Sequence, residues 1–304
     1  MTSSVASSGE KFIQANGIEI CYETFGDASH PTILFVMGYG AQMLAWPDAL
    51  HEGLVDAGFH VVRYDNRDVG LSQKIDEAGN PDLGTLLRAL SEGKKPDAPY
   101  FLSDMAADGI GLLDALGIDR AHVVGASMGG MIVQQMAIDA GGRLSSMTSI
   151  MSTTGDTSVP PATDDAITAL QTPAPADADM DALVDFSMKN REVIGGDGFT
   201  DDQETRDNTR AMLERQIHPE GRARQYAAIL ASGPRTEALK SVTTPTLVIH
   251  GSKDPLVPVE GGIHTAEVID GARLEILEGM GHAMYPVYQP RILELIQSFA
   301  QANK

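Results

Sequence analysis

One stretch restricts what this chain can become more than any other: Ala121 to Ile138, AHVVGASMGGMIVQQMAI. Its first half is a short apolar run ending at Gly125, and its second half repeats apolar residues at helical spacing, which predicts a strand, a sharp turn and a helix. Ser127 falls on the turn. In Gly125-Ala126-Ser127-Met128-Gly129 the small neighbours let strand and helix pass closely, so the serine takes a strained backbone conformation and its hydroxyl stands clear of the sheet. The pattern Gly-x-Ser-x-Gly arises by chance about 0.1 times in a chain of 304 residues. Its weight therefore comes from its place between strand and helix.

The rest of the chain repeats that alternation. Lys11 to Ala15 and Ile18 to Phe25 flank Asn16-Gly17, the dipeptide best suited to a tight hairpin turn. Thr32 to Met37 is a continuous apolar run, predicted to be a strand buried on both faces with the flexible loop Gly38-Tyr39-Gly40 at its carboxyl end. Helix Trp46 to Ala57 and strand His60 to Tyr64 follow, then a loop Asp65 to Ser72 and a poorly patterned region up to Pro99. Ser103 is placed to cap a helix running to about Leu116. Leu144 to Ser152 and Thr246 to His250 read as further strands, Pro258 to Ile269 as a helix, Arg273 to Leu277 as a strand, and Val287 to Ala300 as a closing helix. The expected class is α/β, a mostly parallel central sheet flanked by helices.

Between Gly155 and Arg235 the pattern changes. Prolines stand at 160, 161, 173 and 175, acidic residues cluster, and the apolar runs become short and helix-like. This reads as a helical cap, residues 155–235, inserted into a core made of residues 1–154 and 236–304. Its helices are expected to include Met180 to Ile194 and Thr200 to Gln216. The Pro-rich entry suggests a hinged lid, and helical spacing offers Leu183, Phe186, Met188, Met212 and Ile217 as apolar residues to line a substrate pocket beneath it.

Composition removes several classes. The formal net charge of −20 opposes nucleic acid or an anionic membrane as partner, because both require basic patches. Cys21 is the only cysteine, which excludes an internal disulfide and a cysteine-based metal cluster. The opening residues lack a basic stretch followed by an apolar one, and no later run approaches a membrane span, so the expected setting is cytoplasmic.

A serine hydroxyl is a poor nucleophile at neutral pH; it needs an adjacent base, and the base needs a third group to fix its tautomer. Asp254 follows the strand Thr246 to His250 through Gly251-Ser252-Lys253, and His282 follows the strand Arg273 to Leu277 through Glu278-Gly279-Met280-Gly281. The chain order Ser127, Asp254, His282 is the one expected when such a turn opens an α/β sheet. Asp156, after the strand ending near Ser152, is an alternative acid. The seven other histidines read as structural or surface residues. Acyl transfer also needs donors for the developing oxyanion, and the backbone N–H groups of Met128 and Tyr39 are the candidates.

These segments together resemble the α/β-hydrolase superfamily over almost the whole chain: GASMGG at the turn, HGSKDPLVP around the acid, EGMGHAMY around the base and RYDNRDVGLS after the strand His60 to Tyr64. Two departures from the commonest pattern are Met37-Gly38, where His-Gly is usual, and Asp68, where the loop usually carries a glycine. Both, with Trp46-Pro47-Asp48, resemble the aclacinomycin methylesterase branch. The resemblance implies a cofactor-independent esterase, with no metal, acting on a small-molecule ester. Carbon-carbon bond hydrolysis, enol-lactone hydrolysis and cofactor-free perhydrolysis remain open to the same triad, as does a non-catalytic binding protein.

Overall fold

The computed structural model describes residues 5, 7–175 and 177–304. Its centre is an eight-stranded sheet formed by β1 (Lys11–Ala15), β2 (Ile18–Phe25), β3 (Thr32–Val36), β4 (His60–Tyr64), β5 (Ala121–Ala126), β6 (Leu144–Ile150), β7 (Thr246–Gly251) and β8 (Arg273–Leu277). The order is β1-β2-β4-β3-β5-β6-β7-β8. β1 and β2 are joined antiparallel and β2 pairs antiparallel with β4, while every pair from β4 to β8 is parallel. Asn16 and Gly17 both have positive φ, 50° and 79°, as a two-residue hairpin turn matched to strand twist requires.

Helices α1 (Asp48–Asp56), α2 (Leu83–Ser91), α3 (Leu102–Ala115) and α4 (Met128–Ala140) connect the first six strands. Between β6 and β7 come α5 (Asp164–Gln171), α6 (Met180–Ile194), α7 (Gln203–Arg215), α8 (Pro219–Ser232) and the single turn α9 (Thr236–Leu239). α10 (Val259–Val268) precedes β8, and α11 (Gln289–Ala302) closes the chain.

Successive strand residues face opposite sides, which builds two cores. On one side Leu34, Val36, Val62 and Val123 meet Met105 and Leu112 of α3 and Ile132 and Met136 of α4. On the other, Ile33, Phe35, Val61 and Val124 meet Leu50 and Leu54 of α1 and Ile292, Leu295 and Ile296 of α11. Each fully buried side chain of this kind contributes about 1.5–3 kcal/mol. Trp46 is stacked on Phe35 with ring centroids 4.3 Å apart, which fixes the entry to α1.

Ser103 does not cap a helix. α3 already begins at Leu102, because the Asp104 carboxylate accepts the Phe101 N–H at 2.7 Å and the Ser232 hydroxyl takes the Leu102 N–H at 2.9 Å. The poorly patterned region before Pro99 contains α2, capped by Asp82 through the Thr85 N–H. Strand order reverses between β3 and β5, so the carboxyl ends of these two strands frame the crevice in which open α/β sheets bind ligands.

Candidate active site

Ser127 sits in that crevice, between β5 and α4, with φ 56° and ψ −120°. The conformation is strained for any residue with a side chain and persists because the surroundings enforce it. Its N–H donates to Ile150 O at 2.9 Å, and its carbonyl accepts the Ser152 hydroxyl at 2.8 Å and Met131 N–H at 3.2 Å. Neighbouring glycines are sterically required: a Cβ on Gly125 would lie 2.1 Å from Gly129 O, and one on Gly129 would lie 2.0 Å from Val36 O.

The His282 ring reaches Ser127 Oγ through Nε2 at 2.9 Å and Asp254 Oδ2 through Nδ1 at 2.7 Å. A carboxylate oxygen accepts only, so Nδ1 carries the proton and Nε2 is left as the acceptor facing the serine hydroxyl. Asp254 Oδ1 is held by the N–H groups of Leu256 at 2.9 Å and Val257 at 2.8 Å, which aims Oδ2 at the imidazole. Asp254 and His282 are both buried. The loops that carry them are tied to each other by Lys253 N–H to Met280 O at 3.0 Å and Gly279 N–H to the Ser252 hydroxyl at 2.9 Å.

Asp156 is engaged elsewhere. Its Oδ1 accepts the N–H and hydroxyl of Ser158, and its Oδ2 accepts the Thr236 hydroxyl at 2.7 Å. Those hydrogen bonds, the Ser158 N–H foremost, hold its carboxyl well below the usual carboxylate range.

Gly38 stands beside the serine, since a Cβ there would lie 3.0 Å from Ser127 Cβ and 3.5 Å from Oγ. The next amide is that of Tyr39. Met128 is the first residue of α4, so its N–H is one of the donors a helix leaves unpaired at its amino end. Among the described residues no acceptor pairs with the N–H of Tyr39 or Met128.

The five apolar positions between β6 and β7 do not share one environment. Leu183, Phe186 and Met212 are half-buried. Met188 is buried between α6 and α7, where the Thr209 hydroxyl points at its sulfur at 3.9 Å. Ile217 is 48% exposed.

Several residues that shape the site escape sequence reasoning. The His282 N–H donates to Ile194 O at 2.6 Å, Asp197 N–H donates to Gly279 O at 2.9 Å, and Gly196 bridges Met280, so the end of α6 clasps the loop that carries His282. His250 lies fully buried behind Asp254, with Nε2 at 2.8 Å from Val257 O and 3.6 Å from Asp254 Oδ2. Burial holds its pKa below the ordinary value, against the pull of Asp254.

α8 contributes most. Arg224 makes paired contacts to both oxygens of Asp68 at 2.8 and 2.7 Å, and Gln225 bonds Gly40 N–H and Arg67 O, each at 2.8 Å. Asp68, at φ 69°, also accepts from the Tyr100 hydroxyl at 2.7 Å and Ile75 N–H at 2.8 Å. Burial would raise its pKa, but Arg224, Ile75 and Tyr100 together hold it down. Asp68, Asp76 and His218 converge closely enough to suggest a metal site, yet the Arg224 guanidinium contacts all three, at 2.7 Å to each carboxylate and 3.1 Å to the imidazole. The cation of that cluster is an arginine.

The chain is 29% identical over 308 residues to the rhodomycin D methylesterase DnrP of Streptomyces peucetius, covering 92% of this chain and 94% of that protein. It is 26% identical to the 3-oxoadipate enol-lactonase 2 of Acinetobacter baylyi, covering 88% and 87%. Among solved structures it resembles a hydrolase from Pseudomonas aeruginosa, with TM-score 0.71, 24% identity and coverage of 96% and 98%. The likeness to the methylesterases agrees with the branch that the motifs resembled. A model of the alpha/beta hydrolase fold matches residues 31–287, and the chain therefore belongs to the α/β-hydrolase family.

Proposed function

We propose that the protein is a serine carboxylic ester hydrolase that works through a covalent acyl-enzyme. The observation that carries this reading is the continuous chain from Ser127 Oγ to His282 Nε2, 2.9 Å, and from His282 Nδ1 to Asp254 Oδ2, 2.7 Å.

In the proposed reaction Ser127 Oγ attacks the ester carbonyl while His282 Nε2 takes its proton. Asp254 keeps Nδ1–H in place and stabilises the imidazolium that forms. The carbonyl oxygen becomes an oxyanion and is received by the N–H groups of Tyr39 and Met128. The carbon–oxygen bond to the alcohol then breaks, and the imidazolium returns its proton to the leaving oxygen. Water, deprotonated by His282, attacks the acyl-serine; the acid is released and Ser127 recovers its proton.

Methylesterase relatives support an ester as substrate. Residues 155–235 are proposed to act as a cap over the crevice and to set specificity for small to medium apolar esters. The enol-lactonase relative supports a second reading, opening of a cyclic enol ester by the same steps.

The decisive variant is Ser127→Ala. It should fold, lose turnover of a short-chain nitrophenyl ester and lose labelling by an organophosphonate. Retention of more than about a hundredth of the wild-type rate would refute the assignment, because removing a nucleophile costs several orders of magnitude. Relative rates on linear esters and enol-lactones separate the two readings.

A further inference from the structure

The peptide that bears the Tyr39 N–H is held from both sides. Before it, Met37 O accepts the Asn66 side-chain amide at 2.8 Å. After it, Gly40 N–H donates to Gln225 Oε1 at 2.8 Å. Within it, Gly38 O accepts Ala41 N–H at 3.2 Å. A trans peptide points its N–H opposite to its carbonyl, so a carbonyl turned into the Gly38–Ala41 turn sends the Tyr39 N–H the other way.

Of these three restraints only Gln225 comes from outside the core strands and their loops. It lies on α8 and is 0% exposed. Its amide orientation is unambiguous, since Gly40 N–H can only donate and Arg67 O can only accept. Gly40 has φ 63°, a region glycine enters freely, so nothing in its own stereochemistry locks the loop. Arg222, one turn earlier on α8, lies against Gly40, with Nε 2.9 Å from where a Cβ would stand, and its guanidinium is 5.1 Å from the Tyr39 ring centroid.

We propose that Gln225 is a positioning residue for the oxyanion loop: by fixing the Gly40 amide and tying it to Arg67 O, it holds the Tyr39 N–H at the angle needed to receive the developing charge. The proposal rests on the serine esterase reading given above. It makes the segment between β6 and β7 part of the catalytic scaffold as well as a roof, because the helix that contributes Gln225 cannot swing away without releasing the loop.

The test compares p-nitrophenyl acetate with its thiono analogue, in which sulfur replaces the carbonyl oxygen and meets the amide donors poorly. In Gln225→Leu, kcat for the oxygen ester should fall about tenfold to a hundredfold with KM nearly unchanged, the signature of support lost only in the transition state. The ratio of oxygen-ester to thiono-ester kcat/KM should fall by about tenfold. That ratio cancels the fraction of active protein. Gln225→Met, which keeps length and volume but removes both polar ends, serves if the leucine variant folds poorly, and the same ratio decides.

An unchanged ratio, or a loss carried wholly by KM, overturns the proposal. Ser127→Ala is measured alongside. If it still turns over the ester, the esterase reading is what fails; if it is dead while the Gln225 variants keep the wild-type ratio, only the role of Gln225 is refuted.

Discussion

The backbone N–H of His282 donates to the carbonyl of Ile194 at 2.6 Å, so the loop that presents the proposed base is closed by the last residue of α6. Two segments 88 positions apart thereby share one geometry, and Gly281 is the point of closest approach: a Cβ there would lie 2.4 Å from both Gly195 C and Gly196 N and 2.5 Å from Ile194 O. All three are backbone atoms, which cannot rotate aside.

Gly281→Ala should therefore shift His282 away from Ser127. A displacement near 1 Å predicts a loss of about a hundredfold in kcat. Gly142→Ala, at a position with no atom within 4 Å of the added Cβ, should leave both rate and melting temperature nearly unchanged. Ester kinetics with parallel thermal melts check the pair, and equal behaviour of the two variants would contradict the role given to this contact.

Asp254→Asn should bind substrate normally but turn it over about 10⁴-fold more slowly, because the amide favours the wrong imidazole tautomer. Asp156→Asn should change turnover little, since that carboxylate is committed to Ser158 and Thr236. Steady-state kinetics of both variants decide between the two acids.

Asp68 and Arg224 form a buried ion pair whose loss can be tested by stability. Asp68→Asn leaves the buried guanidinium with only the exposed Asp76 carboxylate as a charged partner and should destabilise the fold by about 3 kcal/mol. Asp68→Gly should also destabilise, although glycine suits φ 69°, because the strain it relieves is about 1–3 kcal/mol while the cation loses its buried carboxylate partner and keeps only the exposed Asp76. Urea midpoints measure both; a more stable glycine variant would show that the backbone conformation, and not the pair, limits this loop.

His122 predicts an acid limb in the stability curve. It is buried and bonded to the Ser146 hydroxyl at 2.8 Å, and burial, with smaller contributions from Lys304 and Arg120, lowers its pKa from 6.5 to about 4. In this window the unfolded chain binds the proton and the folded chain does not, so stability is full above pH 6.5 and falls as pH drops toward 4. The loss from this one group between pH 7 and pH 5 is about 2 kcal/mol. His122→Gln should flatten that slope in denaturant titrations taken at a series of pH values, whereas an unchanged slope would assign the limb to His51, His60 or His250, whose pKa values burial also lowers.

If the cap sets specificity, exchanging residues 155–235 for those of a related esterase should reorder ester preferences while Ser127 still reacts with an organophosphonate. An exchange that folds, labels and keeps the original ranking would locate specificity in the core loops around Tyr39 and Asp68.

The sequence by itself determined the strands, the turn at Ser127 and the order of the candidate triad, because each is a local event. β1, β2, β4, β7 and β8 fall where alternation and apolar runs put them to within a residue, and the glycines at 125 and 129 mark a close strand–helix crossing before any coordinate is known. Helix α6 was legible as well, from its own helix-like apolar runs, and its Asp179 cap is seen in the structure. α8 was not. Its buried face carries Gly221, Arg224 and Gln225 beside Ala227, Ala228 and Ala231, and a face of polar groups and small side chains does not display the period of large apolar residues by which an amphipathic helix is recognised. Those side chains are buried because distant partners satisfy them: Asp68 for Arg224, Gly40 and Arg67 for Gln225. Such partnerships between residues more than 150 positions apart leave no mark in local composition. They exist only once the sheet has formed and brought the loops of β3 and β4 beneath α8, and that is why the tertiary structure alone decided what holds the Tyr39 loop and the proposed base in place.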